Sequence, residues 1–336
     1  MGYENQLSRR KISITLGDPA GIGSEVILKA LADPEVRNAA DYLILGNRSI
    51  LEETASSIGL DDLPATFTDA SELSDGCSLM EVGDIPAGGI LRNHVSAEAG
   101  RLSIGYLMKA IDLAKADQVD AIVTAPINKE AIYKAGFDFP GHTEVLAKET
   151  NTEKFVMMLV GGPLRVALVT IHVPLRAIFD LITKEAIVDT VTVTNDSLKK
   201  YFGLPFPRIG VCGLNPHASD GGRFGDEEAR IVTPAIQELK SMGINCTGPL
   251  PPDTAFYQAG QGAYDVMVAL YHDQGLIPLK LVGFETGVNV TLGLPIIRTS
   301  VDHGTAFDIV GENKASPASM IEAIKLAISM AETKVA

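Results

Sequence analysis

Five apolar residues in a row, Val266-Met267-Val268-Ala269-Leu270, break off at Tyr271-His272-Asp273-Gln274-Gly275. A run this short, stopped by polar residues and a glycine, reads as a buried strand. In open α/β sheets ligands bind beyond the carboxyl ends of the strands, so the polar stop matters as much as the run. The chain repeats the device. Residues 11–16 enter Gly17-Asp18-Pro19-Ala20-Gly21-Ile22-Gly23 and then a helical stretch. Residues 41–46 precede a helix at 50–58, and 120–124 end at Ala125-Pro126-Ile127-Asn128-Lys129. An α/β protein with its site at strand ends is expected.

Composition narrows the class. With 336 residues, 46% of them hydrophobic, the chain can build one large core or two ordinary ones. A formal net charge of −14 argues against a nucleic-acid surface, which needs a basic stripe. Cys77, Cys212 and Cys246 are far apart, without metal or redox spacing, and read as structural thiols of a reducing compartment. The run after Arg9-Arg10-Lys11 is too short for a signal-peptide core. Met1-Gly2 lacks the Ser or Thr at position 6 that myristoylation needs, Gln6 standing there. No apolar run reaches the roughly twenty residues of a membrane span. A cytoplasmic protein with no membrane partner is expected.

The rest of the chain supplies candidate chemistry. Residues 61–89 read as peripheral strand and loop, and 100–116 as a helix. Residues 156–160 and 164–171 resemble a hairpin ending at His172. Residues 208–213 form a strand ending at Asn215-Pro216-His217, and helices follow at 227–241 and 317–330. His172, His217 and His272 thus stand just past three apolar strands. They are either hydrogen-bonded core residues or, since neighbouring strand ends converge, ligands of a divalent metal, with Asp253 and Asp273 as acceptors fixing the tautomers.

Lys280, Asn289 and Arg298 suggest a pocket for a small anion, or else solvated strand ends. Thr143 suits an N-cap, with His142 just outside the helix either facing a site or satisfied in its loop. Lys129 either approaches a substrate or starts a helix. Gly21-x-Gly23 lacks the third glycine of the dinucleotide fingerprint, so that loop either receives an anion on its amides or is a tight turn.

Five segments in order carry a resemblance: Gly17-Asp18-Pro19-Ala20-Gly21-Ile22-Gly23, Gly141-His142-Thr143-Glu144, Gly213-Leu214-Asn215-Pro216-His217-Ala218, Tyr271-His272-Asp273-Gln274-Gly275 and Ser300-Val301-Asp302-His303-Gly304-Thr305-Ala306. Together they resemble the 4-hydroxythreonine-4-phosphate dehydrogenases of pyridoxal phosphate synthesis, over nearly the whole chain. The resemblance implies an isocitrate/isopropylmalate dehydrogenase-like α/β fold: two α/β/α lobes, 1–130 with 300–336 and 131–299, the second carrying metal and dimer contacts. The active site would lie in the cleft between them, in a homodimer whose sites use residues of both subunits.

By position, His172, His217 and His272 match the family's metal ligands, for one divalent ion per site: zinc, magnesium, cobalt or manganese. His142, Thr143, Lys280, Asn289 and Arg298 match its substrate contacts. His303, Gly304, Thr305, Ala306 and Asp308 resemble the adenosine-binding loop of the wider fold, with Asn313 a further candidate. The activity implied is oxidation of the C3 hydroxyl of 4-phosphohydroxy-L-threonine by NAD or NADP, then decarboxylation to 3-amino-2-oxopropyl phosphate, with Lys280 or Asp253 moving the proton.

Phe224-Gly225-Asp226-Glu227-Glu228 and Ile277-Pro278-Leu279-Lys280 look at least as much like the 4-phospho-D-threonate and 4-phospho-D-erythronate dehydrogenases, which give dihydroxyacetone phosphate in sugar-acid breakdown. Two readings of other classes stand beside these. A phosphate acyltransferase-like enzyme would need no metal, and a non-catalytic metabolite sensor would not need three strand-end histidines together.

Overall fold

The computed structural model describes residues 9–60, 65–67 and 76–335. Met1-Gly2, Gln6 and most of the peripheral stretch at 61–75 lie outside them. Twelve strands occur among the described residues: β1 (Lys11–Thr15), β2 (Asp41–Gly46), β3 (Ala65–Phe67), β4 (Cys77–Glu81), β5 (Ala121–Thr124), β6 (Val156–Gly161), β7 (Leu164–Leu168), β8 (Ile209–Cys212), β9 (Cys246–Leu250), β10 (Val266–Ala269), β11 (Val288–Leu292) and β12 (Ile297–Val301). The chain forms two compact units, one ending at Glu149 and resuming at Ile296, the other spanning Thr150–Pro295.

In the first unit the strand order is β3-β4-β2-β1-β5-β12, every pair parallel. All residues of β2, β5 and β12 are buried, which requires cover on both faces of the sheet. The helices Gly23–Ala32, Pro34–Ala39 and Ala318–Val335 pack together, while Ala97–Lys115 packs with Lys129–Lys134. The sequence division at 130 and 300 gives the helices Lys129–Lys134 and His142–Glu149, and part of β12, to the second lobe. Here β12 pairs with β5 from Ile297↔Ala121 onward, and both helices contact Ala97–Lys115, so these segments belong to the first unit.

The second unit orders its strands β11-β6-β7-β10-β8-β9. The β6–β7 pair is the antiparallel hairpin expected from Gly161-Gly162-Pro163, and β11 joins it antiparallel; β7, β10, β8 and β9 are parallel. Its core gathers Leu159, Val166, Leu168, Met267, Leu276 and Leu279. The helix His272–Gly283 lies close on this sheet. A Cβ at Gly275 would stand 2.5 Å from Val166 Cγ1 and 2.9 Å from Ala269 Cβ, so only glycine allows that approach.

The helix expected over 227–241 is interrupted. Glu228–Val232 is π-helical and only Thr233–Ser241 is α-helical. Such openings shift the side chains of the preceding turn and recur at functional sites.

Candidate active site

His172 and His272 meet at the ends of two adjacent parallel strands of the second unit. Backbone pairing continues past β7 and β10, with Val169 N–H donating to Ala269 O at 2.9 Å and Thr170 N–H to Leu270 O at 3.2 Å. Thr170 Oγ1 also donates to Leu270 O at 2.8 Å. This extension carries both histidines past the sheet edge together, their ring centroids 5.6 Å apart and tilted by 43°. They line a cavity of about 430 Å³ with Thr170, Ile171, Tyr271 and Asp273. His272 Nδ1 lies 2.7 Å from Asp273 Oδ1. With Nδ1–H donating to that carboxylate, Nε2 keeps its lone pair for a ligand.

His217 follows the neighbouring parallel strand β8 but does not complete a trio. Among the described residues no three His, Cys, Asp or Glu side chains of one chain gather where a metal could sit. Beyond β8 the backbone leaves the sheet through a left-handed run, His217 at φ 55°, Ala218 at 52° and Ser219 at 71°. There His217 Nδ1 lies 3.8 Å from Asp253 Oδ2, at the start of the helix Pro252–Gly260. Adjacent strand ends therefore bring together two of the three histidines, and the third pairs with Asp253. Lys280 lies on the helix His272–Gly283, its Nζ 5.7 Å from the centroid of Phe284. Asn289, on β11, has a buried Oδ1 with no hydrogen-bond partner.

The first unit supplies a second group. The helix His142–Glu149 starts two residues earlier than the N-cap reading has it, so Thr143 is buried inside the first turn and His142 is its first residue. Gly141, which precedes it, is an accepted N-cap residue. His142 Nε2 is buried without a hydrogen-bond partner. Burial, then the guanidinium of Arg298, holds this imidazole well below its ordinary pKa, so it is neutral. Arg298, on the fully buried β12, donates to Thr124 Oγ1 from Nε at 3.2 Å and Nη2 at 2.8 Å. Burial pulls its pKa down to about 9, against the opposing effect of Glu144. A desolvated guanidinium beside a neutral imidazole favours an arriving anion, which would stabilise the charge that burial penalises.

The glycine-rich segment 17–23 and the loop at 303–309 pack on one another, which sequence distance conceals. Ile22 N–H donates to Thr305 O at 3.1 Å, and a Cβ on Gly21 would meet Thr305 at 3.0 Å. Ala306 and Asn313 take left-handed φ of 41° and 56°. Asp308 lies in the single turn Phe307–Ile309 that follows Ala306. The carbonyl of Asn313 is held by Lys29 Nζ at 3.1 Å. His303 Nδ1 lies 3.0 Å from Gly304 O, and its Nε2 is buried without a partner.

Three contributors escaped the sequence reading. Asp18 is fully buried, and burial raises its pKa to about 6 against the Ala20 N–H and Arg92. Thr124 anchors Arg298. Glu228 is buried at a position that helical spacing places with Ile231 and Ala235, an acidic residue on an apolar face, and that clash was the available signal.

Comparison with known proteins gives the family of the chain. The family model described as pyridoxal phosphate biosynthetic protein PdxA matches residues 38–327. A 4-hydroxythreonine-4-phosphate dehydrogenase of Desulfosudis oleivorans is 46% identical over 327 residues, covering 96% of each chain. A D-threonate 4-phosphate dehydrogenase of Pectobacterium atrosepticum is 43% identical over 327 residues, covering 95% of this chain and 99% of its own. The crystal structure of 4-hydroxythreonine-4-phosphate dehydrogenase from Klebsiella pneumoniae superimposes with a TM-score of 0.87 at 43% identity, covering 96% of this chain and 100% of that one. These relatives carry dehydrogenase names, so the chain is an oxidoreductase and the acyltransferase-like alternative falls away. The chain belongs to the PdxA family of pyridoxal phosphate biosynthetic proteins.

Proposed function

We propose that this protein oxidises the C3 hydroxyl of 4-phosphohydroxy-L-threonine with NAD or NADP and releases carbon dioxide, giving 3-amino-2-oxopropyl phosphate. The observation that carries the reading is the pairing of His172 with His272 on parallel strand ends, lining one cavity with Asp273 set to fix a tautomer. Two imidazoles are a fitting start to a divalent zinc, magnesium, cobalt or manganese site but not a whole one.

A second copy of the chain is the natural source of the third donor, His217. The helix that begins with His272 exposes Ile277 (66%) and Leu281 (85%), with Phe284 (76%) just past its end. Their i, i+4, i+7 spacing makes one apolar face, which supports a homodimer. When bound, the metal would supply Lewis-acid stabilisation of the oxygen that becomes a ketone.

The chain's own residues recognise and move protons. Arg298, with neutral His142 and Thr143, receives an anionic group of the substrate, the phosphate or the carboxylate. Asn289 Oδ1 and Lys280 Nζ offer an acceptor and a donor to the rest of the molecule. Hydride leaves C3 for the nicotinamide, whose adenosine end we assign to His303, Gly304, Thr305, Ala306, Asp308 and Asn313. The β-keto acid that results loses carbon dioxide, and the carbon left behind takes a proton from Lys280 or Asp253.

Relatives named for D-threonate 4-phosphate support a second substrate reading: 4-phospho-D-threonate or 4-phospho-D-erythronate, with dihydroxyacetone phosphate as product. Reduction of NAD and NADP by the metal-loaded protein with each of the three substrates tests the choice. Preference for the amino acid supports pyridoxal phosphate synthesis, and preference for a sugar acid assigns the enzyme to breakdown. No helix among the described residues is long and apolar enough to cross a membrane. Three free thiols, with the buried Cys212 pushed up to about 12, suit a cytoplasmic setting.

A further inference from the structure

Glu228 is buried, 3% exposed, and four donors converge on its carboxylate from the loop that carries His217. Oε1 accepts the N–H of Leu214 at 2.8 Å and of Asn215 at 2.7 Å. Oε2 accepts Asn215 Nδ2 at 3.0 Å and the hydroxyl of Ser219. His217 lies between these anchors. From His217 to Asp220 four consecutive non-glycine residues hold φ of 55°, 52°, 71° and 44°, a region that side chains with a Cβ disfavour. Such a conformation persists only where its surroundings over-determine it.

The loop is also folded tightly back on the carboxylate. A Cβ at Gly213 would stand 2.9 Å from Ala218 Cβ and 3.2 Å from Glu228 Oε1. A second anchor ties this loop to the strand end that carries His272. Gln274 donates from Nε2 to Gly213 O at 2.7 Å and accepts the N–H of Leu270 at 2.7 Å on Oε1. Leu270 precedes His272 by two positions and Gln274 follows it by two, so one buried amide joins the ends of β8 and β10.

We propose that Glu228 is a positioning residue, which fixes the imidazole of His217 for a divalent cation while Gln274 ties that loop to the His272 strand end. The inference rests on the reading of His217 as a metal ligand. A carboxylate suits this demand, because its two oxygens offer about four acceptor sites. In Glu228→Gln the new amide nitrogen would face at least one donor of the loop. The π-helical opening at Glu228–Val232 begins at this residue.

The test uses wild type, Glu228→Gln, Ser219→Ala, His217→Ala and the double variant His217→Ala/Glu228→Gln, each stripped of metal and titrated with Co²⁺ by calorimetry. Hydrogen exchange at the amides of 214–219 is followed in parallel. Glu228→Gln should weaken Co²⁺ binding by about 10- to 100-fold, and Ser219→Ala by less. The double variant should bind no more weakly than His217→Ala alone, because both changes remove the same ligand. The amides of Leu214 and Asn215 should exchange faster in Glu228→Gln.

Wild-type affinity in Glu228→Gln with loss in His217→Ala would overturn the positioning role and leave the metal reading standing. Additive losses would overturn it too. Wild-type affinity in His217→Ala would remove the metal reading and this inference with it. If Glu228→Gln does not fold, Ser219→Ala decides, and an unchanged affinity there counts against the proposal.

Discussion

His142 is uncharged because it is buried and because the guanidinium of Arg298, on β12 of the same unit, acts on it. The two groups come from the two segments of that unit, one just before and one just after the stretch Thr150–Pro295. The strand between Ile297 and Val301 pairs with β5, whose Thr124 orients the guanidinium, and the helix at 142–149 brings the imidazole. A buried cation and a neutral imidazole are thereby held together, the condition under which one anion contact is worth most.

Arg298→Ala should therefore cost about 2 to 5 kcal/mol in binding of the phosphorylated substrate, the usual loss when a buried charged contact is truncated. Nicotinamide binding should be nearly unchanged. Calorimetric titration of each ligand checks this, and an equal loss of both would make Arg298 a structural residue.

Replacing either member of the His172 and His272 pair by alanine should lower bound divalent metal from ~1 per chain to a small fraction, with helix content retained. Elemental analysis beside circular dichroism reads both quantities. Metal retained in both variants would contradict the assignment.

Asp18 gives a pH dependence with a definite sign. Its native carboxyl titrates near 6 against an ordinary 3.8, raised by burial and opposed by the Ala20 N–H at 2.8 Å and by Arg92. Between those values the native state binds more protons than the unfolded one, so this group's contribution to stability falls as pH rises and stays low above about 6. Asp18→Asn keeps the shape and the bond to Ala20 but cannot ionise. It should be more stable than wild type by on the order of 1–3 kcal/mol at pH 7.5 and hardly different at pH 4. Urea denaturation at both values checks it; an equal difference at both would contradict the raised pKa.

Gly275→Ala should destabilise the second unit by about 1–3 kcal/mol, because its methyl would enter the contact of helix His272–Gly283 with Val166 and Ala269. The same displacement should weaken metal binding, since His272 starts that helix. A lowered urea midpoint with unchanged slope is the expected reading.

The α/β character, the hairpin at 156–168, the polar strand ends and the candidate histidines were legible in the sequence because they depend on local pattern. Short apolar runs stopped by glycine can do little else than form buried strands. The linked segments at 17–23, 141–144, 213–218, 271–275 and 300–306 placed the chain in its family, since residues fixed by one chemistry keep their spacing. Less local matters were hidden. The π-helical break at 228–232 and the left-handed run from His217 serve the contact between Glu228 and a loop that precedes it, and no periodicity encodes such a contact.

What the sequence determined by itself is which residues are chemically able to serve. The tertiary structure decided which of them meet. Parallel pairing of β7 with β10 sets His172 against His272, while the backbone leaving β8 turns His217 toward Asp253. Burial, which depends on what packs around a side chain, makes His142 neutral and Asp18 reluctant to ionise. The free energy of a charge depends on its dielectric surroundings, and only the folded chain creates those.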